Sequence, residues 1–422
     1  MDAMTTSSLL ARAGSRLTLW LAATAAATGA LAQSAPTRPA DCTAWRPSWI
    51  ASPQPLWDER LPLPLGMPTR LDEVTLRQSL RLSVGGPRLR VVVGNEYGVQ
   101  PLRITGASVR IEGEAQAMPL SFEGRTAVVV PPGSRWLSDP LELPTRGGER
   151  LQVDLHLAAG TALASFHWDA RDRSELLSAD GTSTTLSTRA FLAEVQTAGS
   201  GTAVVAIGDS ITDGNAATPG ADQRWPDHLA RRLAAQGIAV LNAGISGNRL
   251  LRDGMGSSAL ARFDRDVLRH CGVRAVVVLL GTNDIGWPGG LFAPQEALPD
   301  LPELSAGFEA LIRQARARGV HVIGATLPPF RDALKGTPLE GHYSPQKEAL
   351  RQALNHWIRE AGAFDAVVDF DAVLRDPVQP DRLRPDLDSG DHLHPGDAGY
   401  RAMAKAIVLP LLLEARLQPS VK

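Results

Sequence analysis

The chain has 422 residues, 43 Lys and Arg against 45 Asp and Glu, a formal net charge of −2, and two cysteines. That length accommodates two domains of ordinary size. The near-neutral balance, with both signs scattered and no basic stripe, argues against nucleic acid as a partner, and the low cysteine count excludes a disulfide-built miniature fold.

At the start, Arg12 and Arg16 precede an apolar, alanine-rich stretch, 17–31, that ends in the small-residue signature Ala30-Leu31-Ala32. This pattern predicts an export signal over 1–32, cleaved after Ala32, that is too short and too weakly apolar for a permanent span. The mature chain, with an N-terminal segment over 33–44, is expected to be soluble, without stable membrane insertion, in the periplasm or outside the cell. Asp41 before Cys42 does not fit a lipid-anchor signal. In that setting Cys42 and Cys271 either form a disulfide or stay as two free thiols.

Over 45–195 the apolar pattern has period two. Leu80, Leu82 and Val84 alternate with Arg81 and Ser83, and Leu151, Val153 and Leu155 with Gln152 and Asp154. Turn clusters such as Gly85-Gly86-Pro87 and Gly147-Gly148 separate the runs, so the segment predicts an all-β sandwich or jelly-roll domain. Trp45, Trp49 and Trp57 are either a sugar-stacking platform or core anchors. Residues 196–201, with Gly199-Ser200-Gly201, predict a linker.

The period then changes. Apolar runs at 203–207, 239–243, 275–280, 320–325 and 366–370 predict buried parallel strands, and 225–236, 258–270, 303–318 and 344–361 carry helical spacing. Residues 202–422 therefore predict a three-layer α/β domain with a parallel sheet. Ligands bind such sheets at the carboxyl ends of their strands.

At those ends stand residues suited to acyl chemistry. Gly208-Asp209-Ser210 follows the first strand, and a serine hydroxyl needs a base in reach and a group to orient that base. Asp391 and His394, three apart ahead of Gly396-Asp397-Ala398-Gly399, can supply both. Gly247, in the small-residue turn after the second strand, and Asn283, in Gly281-Thr282-Asn283-Asp284 after the third, can donate to a developing oxyanion. Taken singly, each has a plainer reading: a turn, a helix cap, a solvated histidine, or an Asn bonded to its own turn.

These four blocks, in this order, resemble the SGNH, or GDSL, hydrolase family over about 202–413. The resemblance implies a flavodoxin-like sheet and a serine esterase in which Ser210 is the nucleophile, His394 the base and Asp391 its orienting acid. Gly247 and Asn283 join the Ser210 N–H in the oxyanion hole, and no metal or organic cofactor is needed. The wording around the blocks, including Arg224-Trp225-Pro226-Asp227 and Gly247-Asn248-Arg249-Leu250-Leu251, is similar to secreted bacterial acylhydrolases and arylesterases linked to plant-polysaccharide degradation.

Other enzyme signatures are missing. There is no G-x-S-x-G and no H-E-x-x-H, and Gly254-Met255-Gly256-Ser257-Ser258-Ala259 follows a polar loop rather than a strand, so it reads as a flexible loop and not a dinucleotide site. Trp287 is a candidate substrate contact beside Asn283. Arg249 could bind an acidic substrate group or pair with a neighbouring Asp. The expected function is hydrolysis of a carboxylic ester, small-molecule or polysaccharide, with a carbohydrate ester first. The alternatives are a lipase, thioesterase or arylesterase on acyl chains, or a non-catalytic glycan-binding protein.

Overall fold

The computed structural model describes residues 42–58 and 61–413. The leader 1–32, its cleavage point after Ala32 and most of segment 33–44 lie outside those residues.

Alternating apolar residues give the first half its strands. Thr75–Arg81, Leu102–Ile111 and Arg150–Leu157 pair antiparallel, and Leu76, Leu80, Leu151, Val153 and Leu155 on one face are fully buried. These strands belong to a seven-stranded sheet. A second sheet orders Trp45–Ile50, Leu192–Ala198, Leu89–Gly94 and Arg135–Leu137. Val91, Val93 and Val195 from it share one core with Leu80, Val153 and Leu155, so the two sheets make a sandwich. Each such side chain, fully buried, contributes roughly 1.5–3 kcal/mol.

The alternation reads past the true strand end. Pairing stops at Arg81, and while Leu82 stays in the sandwich core, Val84 enters the core of the second half. At the other boundary, strand Leu192–Ala198 runs into the segment marked by its glycines as a linker, because Thr197 pairs with Arg46 and Leu89 and Ala198 with Trp45. Along the chain, 199–202 link the two halves.

In the second half the strands β1 (Ala203–Gly208), β2 (Ala239–Gly244), β3 (Val273–Leu279), β4 (His321–Ala325) and β5 (Ala366–Val368) pair in parallel in the order β2-β1-β3-β4-β5. This is the flavodoxin-like order, whose switch point lies between β1 and β3. Ala203, Val205 and Ile207 face one apolar cluster, Val204 and Ala206 the other, which makes three layers.

The helices are α1 (Ser210–Asp213), α2 (Trp225–Leu233), α3 (Ala259–Phe263), α4 (Thr282–Gly286), α5 (Leu301–Arg316), α6 (Pro345–Glu360), α7 (Phe370–Leu374), α8 (Asp397–Ala406) and α9 (Leu409–Leu413). Their ends follow capping chemistry. Asp300 and Glu303 form a capping box that starts α5 before the apolar pattern does, and Ser344 accepts from the Lys347 N–H at 3.2 Å to start α6. The predicted helix over 258–270 is helical only to Phe263 and continues as a wider π-helical turn, Asp264–Leu268. Asp369 caps α7, so β5 ends at Val368 rather than 370.

The sandwich docks on β2, the edge strand. Ser83 Oγ accepts from the Val240 N–H at 2.7 Å, Ile50 and Val84 pack into the second core, and Cys42 and Cys271 form a disulfide across the halves. The three early tryptophans are anchors: Trp45 and Trp49 are buried, with Arg90 4.4 Å from the Trp45 ring centroid and Arg189 4.9 Å from that of Trp49. Trp57 packs edge-on to Phe166 and donates its Nε1–H to the Met255 carbonyl at 2.7 Å. Among the described residues no helix is long and apolar enough to cross a membrane.

Candidate active site

Register brings the distant blocks to one sheet edge. Gly208 at the end of β1 pairs with Gly244 of β2 and Leu279 of β3, so Ser210, Gly247 and Asn283 all leave the sheet at its carboxyl end. The helix after β1 is a single turn, capped by Asp209 Oδ1 accepting the Ile211 N–H at 3.0 Å and closed by Gly214 in the left-handed region.

Ser210 Oγ lies 2.8 Å from His394 Nε2, and His394 Nδ1 lies 2.6 Å from Asp391 Oδ2. A carboxylate only accepts, so Nδ1 carries the proton and the bare Nε2 faces the serine hydroxyl. The other Asp391 oxygen accepts the N–H groups of Leu393 and His394 at 2.9 and 2.8 Å. Burial alone pushes the Asp391 carboxyl up, but the hydrogen bond and charge of His394, together with those N–H groups, outweigh it and hold the carboxyl well below the usual range. The loop is shaped by His392, at φ 62°, whose Nδ1 meets Asp388 at 2.5 Å. Asp397, the first residue of α8, takes the Thr218 N–H and hydroxyl at 2.9 and 2.6 Å.

Gly247 has φ 71°, and a Cβ there would sit 2.3 Å from Met255 Sδ and 2.9 Å from Trp287 Cζ2, so only glycine fits. Neither its N–H nor that of Ser210 donates to another group among the described residues. Asn283 Nδ2 gives one hydrogen to the Asn248 carbonyl at 3.0 Å, which aims the amide and leaves its second hydrogen. Asp284 beside it accepts from the Leu250 and Leu251 N–H groups at 2.7 and 3.0 Å, so the second and third blocks are bonded together.

Two candidates move behind the site. Trp287 is buried against Phe292 at 4.9 Å and against the Gly247 turn, where it buttresses the glycine rather than offering a free face. Arg249 lies over that ring at 5.0 Å, and its Nη1 donates to both oxygens of Glu296 at 2.8 and 2.9 Å. Its charge is matched by a glutamate 47 residues away, not by a neighbouring Asp.

Several supporting residues carry no motif. Arg262, fully buried, donates to the carbonyls of Gly208 and Ala243 at 3.1 and 2.7 Å, to Asn248 Oδ1 at 3.0 Å and to Asp266 at 3.0 Å. Helical spacing could flag it only as a polar residue on an apolar face. His342 is buried edge-on to Phe330, and burial, reinforced by Lys347 and His394, pushes its imidazole down to about 3, so it is neutral.

Asp209 is fully buried, its Oδ2 lacks a hydrogen-bond partner among the described residues, and burial pushes its carboxyl up to about 7. Folded Asp209 keeps a proton that the unfolded chain has released, so its burial costs stability that grows as pH rises from 3.8 to about 7. Asp209→Asn retains the acceptor for Ile211 and removes this titration. Urea midpoints at mildly acidic and mildly alkaline pH should show the variant gaining on the wild type at the higher pH; parallel curves would mean the buried carboxyl is charged throughout.

A family model described as the GDSL-like lipase/acylhydrolase family matches residues 206–402. No curated protein matches the chain significantly. Among solved structures, a GDSL-like lipase from Bacteroides thetaiotaomicron is 22% identical, covering 50% of this chain and 88% of its own, with a TM-score of 0.37. An aryl esterase from M. smegmatis is 18% identical, covering 51% of this chain and 100% of its own, with a TM-score of 0.40. An acetyl xylan esterase is 19% identical, covering 48% and 96%, with a TM-score of 0.36. The family match spans Ser210, Gly247, Asn283, Asp391 and His394, so residues 206–402 are a GDSL-like lipase/acylhydrolase domain, that of a carboxylic ester hydrolase.

Proposed function

We propose that this protein is an exported serine esterase that removes acetyl or other acyl groups from a carbohydrate through an acyl-serine intermediate. The observation that carries the chemistry is the hydrogen-bonded chain from Ser210 through His394 to Asp391, beside two unengaged N–H groups. His394 takes the Ser210 proton as Oγ attacks the ester carbonyl. The charge then gathers on the carbonyl oxygen, toward which the N–H groups of Ser210 and Gly247 and the amide of Asn283 donate. Collapse expels the alcohol, protonated by His394. Water, deprotonated by the same ring, then attacks the acyl carbon, and a second collapse releases the acid and restores Ser210.

Export is supported by the leader-like pattern over 1–32 and by the Cys42–Cys271 disulfide, a bond that persists in oxidising compartments. The carbohydrate substrate is supported by the motif wording around the blocks. Acetate release from acetylated xylan and pectin, run beside 4-nitrophenyl esters of increasing chain length, tests it. Release from a polysaccharide with a preference for acetate is the expected result. Inert polysaccharides and a preference for long acyl chains would reassign the substrate to lipids.

A further inference from the structure

His167 belongs to strand Ser165–His167 of the sandwich, yet its ring reaches the catalytic half. Nδ1 lies 2.9 Å from the Ser52 carbonyl oxygen and Nε2 3.0 Å from Asp213 Oδ1, with both side chains buried. The Ser52 carbonyl only accepts, so Nδ1 donates to it, and a proton lies between Nε2 and Asp213 Oδ1. Asp213 Oδ2 in turn accepts the Ser246 N–H at 3.0 Å and the Ser246 hydroxyl at 2.7 Å. Asp169, which Arg171 approaches at 3.2 Å, and Arg189 also interact with the pair.

Asp213 ends the helical turn that Ser210 begins, and Ser246 precedes Gly247. One carboxylate therefore ties the serine turn to the glycine turn, and a histidine from the other domain hydrogen-bonds its free oxygen. We infer that His167 is a positioning residue of the hydrolase: by that hydrogen bond it fixes Asp213, and through Asp213 the Ser246–Gly247 turn that supplies an oxyanion donor. The pair lines a cavity of about 150 Å³ between the halves, so the carboxylate has room to swing once the ring is gone. Without the ring, Asp213 Oδ1 loses its partner and only Oδ2 stays held, by Ser246.

The inference rests on the oxyanion role proposed above, and its test separates the two. Kinetics of His167→Leu and His167→Gln on 4-nitrophenyl acetate are measured beside Ser210→Ala. His167→Leu is expected to lower kcat about ten- to a hundred-fold with KM within about two-fold, as for a misplaced oxyanion donor. His167→Gln, whose amide donates to Asp213, should recover much of that loss. Should the leucine variant not fold, nitrogen-15 histidine NMR of the wild type decides. The His167 signals, assigned by their loss in the glutamine variant, are expected to show both ring nitrogens hydrogen-bonded. Wild-type kcat in His167→Leu, or an Nε2 without a hydrogen bond, overturns the inference. Wild-type turnover by Ser210→Ala would instead overturn the acyl-serine mechanism.

Discussion

Ser210→Ala is expected to cut turnover of 4-nitrophenyl acetate by about 10⁴-fold or more, in line with removal of the nucleophile from other hydroxyl-histidine-carboxylate sites. Thermal unfolding should be nearly unchanged. The hydroxyl is bonded to His394, whereas the turn that carries it is held by the Asp209 cap and by the Gly214 N–H returning to the Ser210 carbonyl at 2.8 Å. Alanine at that position removes the attacking atom and leaves the scaffold. The Ser210 and Gly247 N–H groups and Asn283 would remain, so substrate binding should persist in the inert variant. Labelling by a fluorophosphonate should be lost in parallel, since the probe bonds to the same oxygen. Activity above about one percent of the wild type would remove Ser210 from the mechanism, because that residue is assigned the whole covalent step.

Arg262→Met is expected to destabilise the protein by about 3–5 kcal/mol, because several buried acceptors lose their donor at about 1–3 kcal/mol each. The side chain is fully buried, and its guanidinium joins the ends of β1 and β2 to Asn248, Asp266 and Ser52. Methionine fills much of the volume but leaves the Gly208 and Ala243 carbonyls without this donor. Asp266 would keep Arg265, at 2.6 Å, as its cation. Activity should fall as well, since Asn248 offers its carbonyl to Asn283 and would lose the bond that orients its own side chain. Urea unfolding measures the first effect and kcat the second. A loss under about 1 kcal/mol, the ordinary worth of one hydrogen bond, would show that the strand ends hold without the arginine.

What could be read from the sequence was local. The serine, glycine and asparagine blocks each follow a short apolar strand, so their place at the sheet edge comes from strand polarity and needs no knowledge of distant contacts. Ser344 and Pro345 marked the start of α6 for the same reason: a cap acts within one turn. What escaped was set by partners far along the chain. Arg249 finds Glu296, Arg262 reaches Ser52 210 residues away, and His167 crosses from one domain to the other, none of which leaves a periodic trace. Trp287 read as a loop residue open to substrate because its neighbours in sequence are polar or small, whereas it is covered by Met255 and Phe292, which only the fold brings near. The linker is shorter than its glycines suggest for a related reason. Gly199-Ser200-Gly201 signals a break, but Gln196, Thr197 and Ala198 before it are held by two flanking strands that glycine content cannot reveal.

The docking of the sandwich on β2 bears on how the enzyme can be miniaturised. A catalyst trimmed to begin near residue 200 would keep every reacting group and still uncover the Val240 N–H, the contact surface of Ile50 and Val84, and the mate of Cys271. An unshielded rim of a parallel sheet invites pairing with a neighbour. Precipitation, rather than a lean esterase, is the foreseeable yield of such a truncation, and engineering for size is better directed at the turns of the sandwich farthest from β2.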